Sequence, residues 1–482
     1  MSENDQTSLP HATLSEAWGD VVDPWEWIDD AALGLAPSLA FFGGKEDGAQ
    51  RPIVRDENDL AAIRHVGRWL AETSPAAIGV LKNLTNYIVG SGFSYKAALR
   101  GEAPSSTLAN QLLAAVQRVI AEFLEHNDWP GDLEREAFLR SRRDGEYFLA
   151  LYPAANGRVQ LRVIEPEQVT APHDPRSLEE WLGVATPSSW SFGVHTDEAD
   201  VQTVRGYHVV WNSRGTDWDY LPAALVEHVK LNVDRNVKRG VSDFFAVRNH
   251  LEDAERLLRN TRQGAAVQAA IAFVREHAPG ASPGQIESMQ QTLASRTVTE
   301  MSPAGPRTRR VQRYAPGTIL DISRGLQYKP GPLGSAHAPN FLAIEQAVLR
   351  MAGVRWCLPE HMISGDASNN NRASILEAGA PFVKNAQAEQ QFYARRWRRM
   401  LWNVIEHAAR AGRFPADFAT VRDLIELCIE PPEVAARDRL GETQRYQLLF
   451  DAGLLSPQTW AAKEGIDFDR ETAHQSVKRE NE

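Results

Sequence analysis

The sequence predicts an α+β fold with several long helices, on three observations. Amphipathic helical stretches occupy both ends of the chain, and a strand-rich block with a clear hairpin signal lies between them. A segment rich in Pro and Gly then separates two helices with apolar faces. The 482 residues can bury several cores, and a chain of this size divides into about two to four domains.

The chain opens on an arm, residues 1–55, where acids mix with Trp18, Trp25, Trp27, Phe41 and Phe42. Disordered tails are usually poorer in aromatics, so the arm is expected to pack onto a partner, or else onto its own domain. Residues 56–240 read as one α+β domain. Leu60, Ile63, Gly67 and Leu70 share a helical face, Ser74 and Pro75 break it, and Ala77, Leu81, Leu84 and Ile88 resume it. Gly90-Ser91-Gly92 reads as a helix-to-strand turn, since the rest of a phosphate-binding GxGxxG is missing. A helix over Leu108 to His126 follows. "DGEYFLALYPAANGRVQLRVIEPEQV" then places two strand-like runs around Asn156-Gly157, a strong hairpin signal, and "VRGYHVVW" extends the sheet, which is expected to close near Pro222.

A long helix is expected over Phe244 to His277, inside a segment 241–277, with Leu251, Ala254, Leu258, Ala265 and Ala272 as its stripe. Residues 278–339 change character, with many Pro and Gly and strand candidates "TRRVQRYA" and "GTILDI"; they read as a small inserted domain. A second helix, 340–356, places Phe341, Ile344, Ala347, Val348 and Met351 on its inner side. Residues 357–373 form a loop ending in "ISGDASNNNR", where three consecutive asparagines argue for exposed backbone. In 374–413, Ser374 to Glu377 fits a capping box, Gly379 and Pro381 predict a kink, and Tyr393, Trp397, Met400, Leu401, Val404, Ile405 and Ala408 form a buried stripe. Residues 414–482 read as short closing helices.

Composition narrows the function. Hydrophobic content of 43% and charged content of 24% read as soluble and globular. No apolar run approaches the ~18 residues of a membrane span, and no secretory leader is apparent. Cys357 and Cys428 make neither a disulfide framework nor a metal set, so a cytoplasmic protein with reduced thiols is expected. The net charge of −11 is concentrated: residues 1–60 hold thirteen Asp and Glu against Lys45, Arg51 and Arg55. Conversely, Arg296 to Lys329 holds seven Arg and Lys against Glu300 and Asp321. Global acidity argues against gripping nucleic acid over the whole surface.

No enzyme motif is convincing. GxxxxGK[ST], HExxH and paired CxxC are missing. Gly280 to Gly284 fits GxSxG around Ser282, but a nucleophile elbow needs a strand before it and a helix after it, and Pro283 adjoins the serine. Arg395, Arg396, Arg398 and Arg399 surround Trp397, which falls on the apolar stripe; the arginines are expected to pair with acids within or between subunits.

The order of these pieces resembles the portal (head–tail connector) proteins of tailed bacteriophages, lambda-like branch. The segments that carry the resemblance are "SPAAIGVLKNLTNYIVGSGFSYK", "FLRSRRDGEYFLALYPAANGRVQLRVIEPEQV", "LPAALVEHV", "RNVKRGVSDFFAV", "YAPGTILDI…YKPGP", "LPEHMISGDASNNNRASILEAG" and "LFDAGLLSPQTWAAKEGIDFDRE". It covers about Asp56 to Glu471, and departs from the family where Asn-Asn-Asn-Arg stands in place of a common aromatic.

The resemblance implies a wing (56–240), stem helices (241–277 and 340–356), a clip (278–339), a tunnel loop (357–373), a kinked wing helix (374–413) and a C-terminal crown (414–482). It further implies a dodecameric ring at a capsid vertex of the virion, assembled in the host cytoplasm and threaded by double-stranded DNA. Expected partners are the terminase large subunit, then neck and tail adaptors, and the major capsid or scaffold protein, with no cofactor, no metal, no membrane and no catalysis. The channel is expected to be lined by Ser364, Asp366, Ser368, Asn369, Asn370, Asn371 and Arg372. Partner docking is expected at Arg307, Arg309, Arg310 and Arg313. The alternatives are another structural virion protein, such as a minor head component, or a hydrolase using Ser282.

Overall fold

The computed structural model describes residues 54, 56–100, 107–171, 190–197, 199–212, 214–276, 295–302, 305–312, 318–322, 338–366, 372–434, 439–463, 466, 468 and 471–472. The arm 1–53, Ser282, Arg313 and the run from Ser368 to Asn371 lie outside the described residues.

The first two helices, α1 (Glu57–Thr73) and α2 (Pro75–Ile88), are set by their caps. The Asp56 side chain accepts from the Asp59 N–H at 2.9 Å. Ser74 leaves the helical region at φ −86°, ψ 115°, ending α1, and its hydroxyl caps α2 with Pro75 just inside. The expected stripe, Leu60, Ile63, Leu70, Ala77, Leu81, Leu84 and Ile88, is buried. Gly90 and Gly92 turn the chain with positive φ into strand β1 (Ser94–Leu99).

Helix α3 (Thr107–His126), a π-helical turn (Trp129–Leu133) and helix α4 (Glu134–Asp144) follow. Gly145 then swings the chain at φ 86° into strand β2 (Glu146–Pro153), the first arm of the expected hairpin with β3 (Val159–Ile164). Gly145 has a steric requirement as well: a Cβ there would lie 2.2 Å from the Val241 carbonyl carbon.

The strands beyond the hairpin divide into two sheets. Strands β4 (Trp190–Ser191), β5 (Val194–Thr196), β6 (Val204–Val210) and β7 (Trp218–Pro222) make an antiparallel sheet in chain order. β8 (Val226–Lys230) lies beyond the expected close at Pro222 and pairs with β2, giving the order β3-β2-β8.

A short 3-10 turn, Asp243–Ala246, leads into helix α5 (Arg248–Ala270). The expected helix to His277 is therefore too long. Ile271–Glu276 is strand β9, because Ile, Phe and Val in "IAFVRE" favour a pleated backbone once a partner exists. That partner is β12 (Thr318–Ile322), paired in parallel, and β10 (Ser295–Ser302) with β11 (Gly305–Gln312) forms an antiparallel ribbon between them in sequence. Helix α6 (Ala338–Val354) packs back against α5.

Helix α7 (Glu360–Ser364) precedes the longest element, α8 (Arg372–Arg410), which continues through Pro381. It begins two residues before the expected capping residue Ser374, Arg372 and Ala373 both being good helix formers. Its stripe from Tyr393 to Ala408 is buried as expected, with Trp397 edge-on to Phe93 and Trp129 at centroid distances of 4.7 and 5.6 Å. The segment from 414 onward is not all helix. After α9 (Phe418–Leu424), strand β13 (Ile425–Glu430) pairs antiparallel with β1, so part of the expected crown belongs to the first domain's core. Helices α10 (Arg439–Asp451) and α11 (Pro457–Lys463) follow.

One buried acid couples this core to pH. The Glu134 carboxylate accepts from Tyr95 Oη at 2.8 Å and from the Phe93 N–H at 3.2 Å, and is fully buried. Burial dominates these bonds and pushes its pKa up to about 7. A raised folded-state pKa means the stabilising neutral form is fully present below the unfolded value of 4.5 and is lost as pH rises through about 7. Glu134→Gln is therefore expected to flatten the fall in stability between acidic and alkaline pH by up to about 3 kcal/mol, measured as chemical-denaturation free energies of both proteins.

Candidate functional site

Among the described residues no group of three His, Cys, Asp or Glu is placed to hold a metal ion. What stands out is the junction where α5 and α6 leave the first domain, together with the loop beyond it. Asp243 is at its centre. Ser242 ends the preceding strand-like chain and caps the 3-10 turn, which drives the Asp243 side chain inward, 1% exposed.

Four side chains converge on that carboxylate. Trp356 Nε1 donates at 2.8 Å, Asn232 Nδ2 at 2.7 Å, an Arg355 guanidinium N–H at 3.1 Å and an Arg142 N–H at 3.4 Å. Asn232 adopts φ 62°, a left-handed conformation that Asn tolerates, and also donates to the Val241 carbonyl at 2.7 Å. Trp356 and Arg355 come from the turn after α6, whereas Asp243 precedes α5. One carboxylate thus ties the bases of both long helices to α4 and to the loop after β8. Phe244 and Trp356 close the apolar side with ring centroids 5.9 Å apart.

The chain then enters the expected loop. Leu358 and Ile363 are buried, and Asn83 of α2 donates to the Met362 carbonyl at 2.9 Å, so α7 is fixed to the domain. Gly365 ends α7 at φ 73°, with open space around it, and Gly365 and Asp366 are exposed. On the far side, α8 is anchored at Phe382, fully buried and edge-on to Tyr87 at 5.2 Å. In sequence, the buried residues that flank the asparagine run are Ile363 and Phe382.

Helix α6 differs from its expected packing. Ile344, Met351 and Val354 were assigned by pattern to an apolar inner side or lie beside it, yet they are 52%, 61% and 66% exposed. Leu342 on α6 and Leu258 on α5 are also exposed. The apolar stripe exists, but the described residues do not cover it.

The expected site residues separate accordingly. The Ser364 hydroxyl donates to the Glu360 carbonyl at 2.9 Å and accepts from the Asp366 N–H at 3.2 Å, so it is engaged in ending its helix. Asp366 is exposed, and Arg372 opens α8. Arg307, Arg309 and Arg310 stand on β11, in register with Glu300, Val298 and Thr297 of β10. Of the cluster around Trp397, Arg399 pairs with the buried Glu227 at 3.0 Å and Arg396 lies over the Phe392 ring, while Trp397 itself is core and donates to Tyr147 Oη at 3.1 Å. Asp243 was missed in the sequence. Its only local signal is Ser242-Asp243 before a helix, which reads as an ordinary cap.

A family model described as phage portal protein, lambda family, matches residues 45–388 of the 482. Two solved structures are similar. The neck of a native GTA particle, computed with C12 symmetry, is 14% identical with a TM-score of 0.44, covering 89% of this chain and 98% of that one. The neck of an empty GTA particle, computed with C6 symmetry, is 14% identical with a TM-score of 0.45, covering 88% and 97%. A search of curated proteins finds no match.

Removing the Asp243 carboxylate leaves the Trp356 N–H buried without its acceptor and leaves the buried Arg142 with Glu389 as its remaining carboxylate partner, a defect worth about 2–4 kcal/mol. Asp243→Ala is expected to lower stability by that order and to raise amide hydrogen exchange across α6 and α7 more than across β2 and β3. Uniform loss of protection would mean that the junction has no special role.

Proposed function

The chain belongs to the lambda family of phage portal proteins and is a structural part of the virion, and from that premise we propose that its copies form the ring through which double-stranded DNA enters and leaves the capsid. The observation that carries the ring is the apolar face of α6 that the described residues leave exposed. Stem helices that left such a face in water would aggregate; in a closed ring each subunit's face is covered by its neighbour. Twelve copies are the proposed number, with residues 56–240 as wing, 278–339 as clip and the last helices as crown.

The proposed channel lining is the loop around Ser368 to Asn371, with Asp366 and Arg372 at its edges. Its chemistry supports a conduit. Asp366 is repelled by phosphate, the serine and asparagines bond it weakly and without reading bases, and Arg372 attracts it. Ser364 contributes by ending α7, since its hydroxyl is engaged locally. The ribbon bearing Arg307, Arg309 and Arg310, with Arg313 beyond it, is the proposed docking surface for the terminase large subunit and later for neck and tail adaptors. A basic rim speeds encounter with acidic partners. Capsid or scaffold protein would contact the outer surface of the ring. The chain itself is proposed to perform no catalysis.

Two experiments test this reading. Ile344→Asp with Met351→Glu is expected to convert rings to monomers, read by light scattering and negative-stain images, while the near-UV circular dichroism of the aromatic core is unchanged. Rings that persist would move the interface elsewhere. Arg309→Glu with Arg310→Glu is expected to leave rings intact and to weaken binding of the terminase large subunit by about tenfold or more at low salt, in proportion to lost steering and contact. Rings that fall apart in this variant would show that these arginines pair between subunits.

A further inference from the structure

A basic groove of about 610 Å³ runs between the antiparallel sheet and α8, and the portal reading gives it no task. Lys230, Arg235, Lys238, Arg396 and Arg399 line it, and Arg395 continues it into an adjoining hollow. Among the described residues on its walls the carboxylate is that of Glu227, which is buried and already held by Arg399 through contacts of 3.1 and 3.0 Å. Lys230 Nζ donates to the Arg235 and Val237 carbonyls, which offset its charge only as dipoles. Between the cations the floor is apolar and aromatic: Val194, Val204, Tyr207 and Val226, with Phe392 beneath Arg396 at 5.2 Å.

So many cations in one hollow repel one another. Burial and then the Arg399 charge lower the pKa of Arg396, and burial and then Arg396 lower that of Lys230. An anionic occupant would relieve this, and one carrying aromatic rings would also fill the floor and stack on guanidinium planes.

We propose that the occupant is the protein's own stretch from Asp20 to Asp30, "DVVDPWEWIDD", seated with its acids on Lys230, Arg235, Arg395 and Arg396 and with Trp25 or Trp27 on the apolar floor. This stretch holds Asp20, Asp23, Glu26, Asp29 and Asp30, and the chain has no Lys or Arg before Lys45. The root of the segment is also in the right place. Glu57 at the start of α1 accepts from the Ala171 N–H at 2.8 Å, and His208, next to the groove residue Tyr207, contacts the Thr170 carbonyl at 2.7 Å. The two dozen residues between Asp30 and that root can span roughly 80 Å when extended, so length sets no barrier. The proposed docking puts this stretch on a surface of the same protein rather than on a capsid or scaffold partner, and it does not depend on the portal reading.

The test uses the full chain and a zero-length carbodiimide, which joins carboxylates to amines in contact, followed by peptide mass spectrometry. Cross-links from Asp20, Asp23, Glu26, Asp29 or Asp30 to Lys230 or Lys238 are expected. Their yield is expected to fall about fivefold or more at molar salt, where charges are screened beyond ~3 Å, and similarly in Arg395→Glu with Arg396→Glu. Adding Asp23→Arg and Glu26→Arg to that variant is expected to restore them, an outcome that a merely misfolded groove would not give. Cross-links of this stretch to other surfaces only, or yields indifferent to charge reversal, would overturn the proposal. So would binding of a short labelled DNA duplex to the wild-type groove that Arg395→Glu with Arg396→Glu abolishes, since the groove would then serve nucleic acid.

Discussion

The Asp243 carboxylate is the point from which the long helices take their direction. A buried charge of this kind is costly unless its lone pairs are filled, and here α4, the loop after β8 and the turn after α6 each supply a donor. The donors are distant in sequence, so satisfying one side chain fixes several elements at once. Placed at the end of the first domain, it makes the exits of α5 and α6 a rigid pair, and it gives everything beyond them a defined starting angle.

A second buried charge does similar work inside the domain. Glu146 receives Arg239 at 2.7 Å, Arg64 at 3.4 Å and His228 at 3.2 Å. Arg239 spends its remaining N–H groups on the Val169, Phe192 and Pro166 carbonyls, at 2.6, 2.9 and 2.7 Å. The guanidinium thereby joins both sheets and the chain crossing between them. Burial lowers His228 to about 4, so the ring is neutral at physiological pH and can donate from Nε2 to an ionised Glu146, whose own pKa the cations hold well below the usual range. Gly145 and Gly240 make this packing possible, because a Cβ on Gly240 would lie 2.0 Å from the Gly145 carbonyl oxygen.

Against this closed interior, the apolar surface left over is informative. The face of α6 has the composition of a core without the cover of one, and Leu448, Phe450 and Leu454 at the end of the chain repeat the pattern. Among the described residues, then, the apolar side chains of α1 to α4 and of α8 are largely buried, whereas those on one face of α6 are not. Among the described residues no helix is long and apolar enough to cross a membrane.

Much of this was determined by the sequence alone. Caps, turn glycines and periodicity placed α1, α2, the β2–β3 hairpin and the buried stripe of α8, because those signals are local: a Ser-Pro pair, an Asn-Gly pair, a repeat of 3.6. The order of motifs placed the chain in its family. Only the tertiary structure decided what is not local. β9 reads as helix until β12 is beside it, and β13, although Ile425, Leu427 and Ile429 alternate with polar residues, is too short to be a strand without β1, with Ser94 opposite Glu430. Arg239 and Asp243 look like surface residues in sequence and are buried because their partners arrive from elsewhere. The stripe on α6 shows the limit most plainly. Periodicity states that one face is apolar, whereas what covers that face depends on which surfaces meet in three dimensions, and among the described residues none covers Ile344, Met351 or Val354.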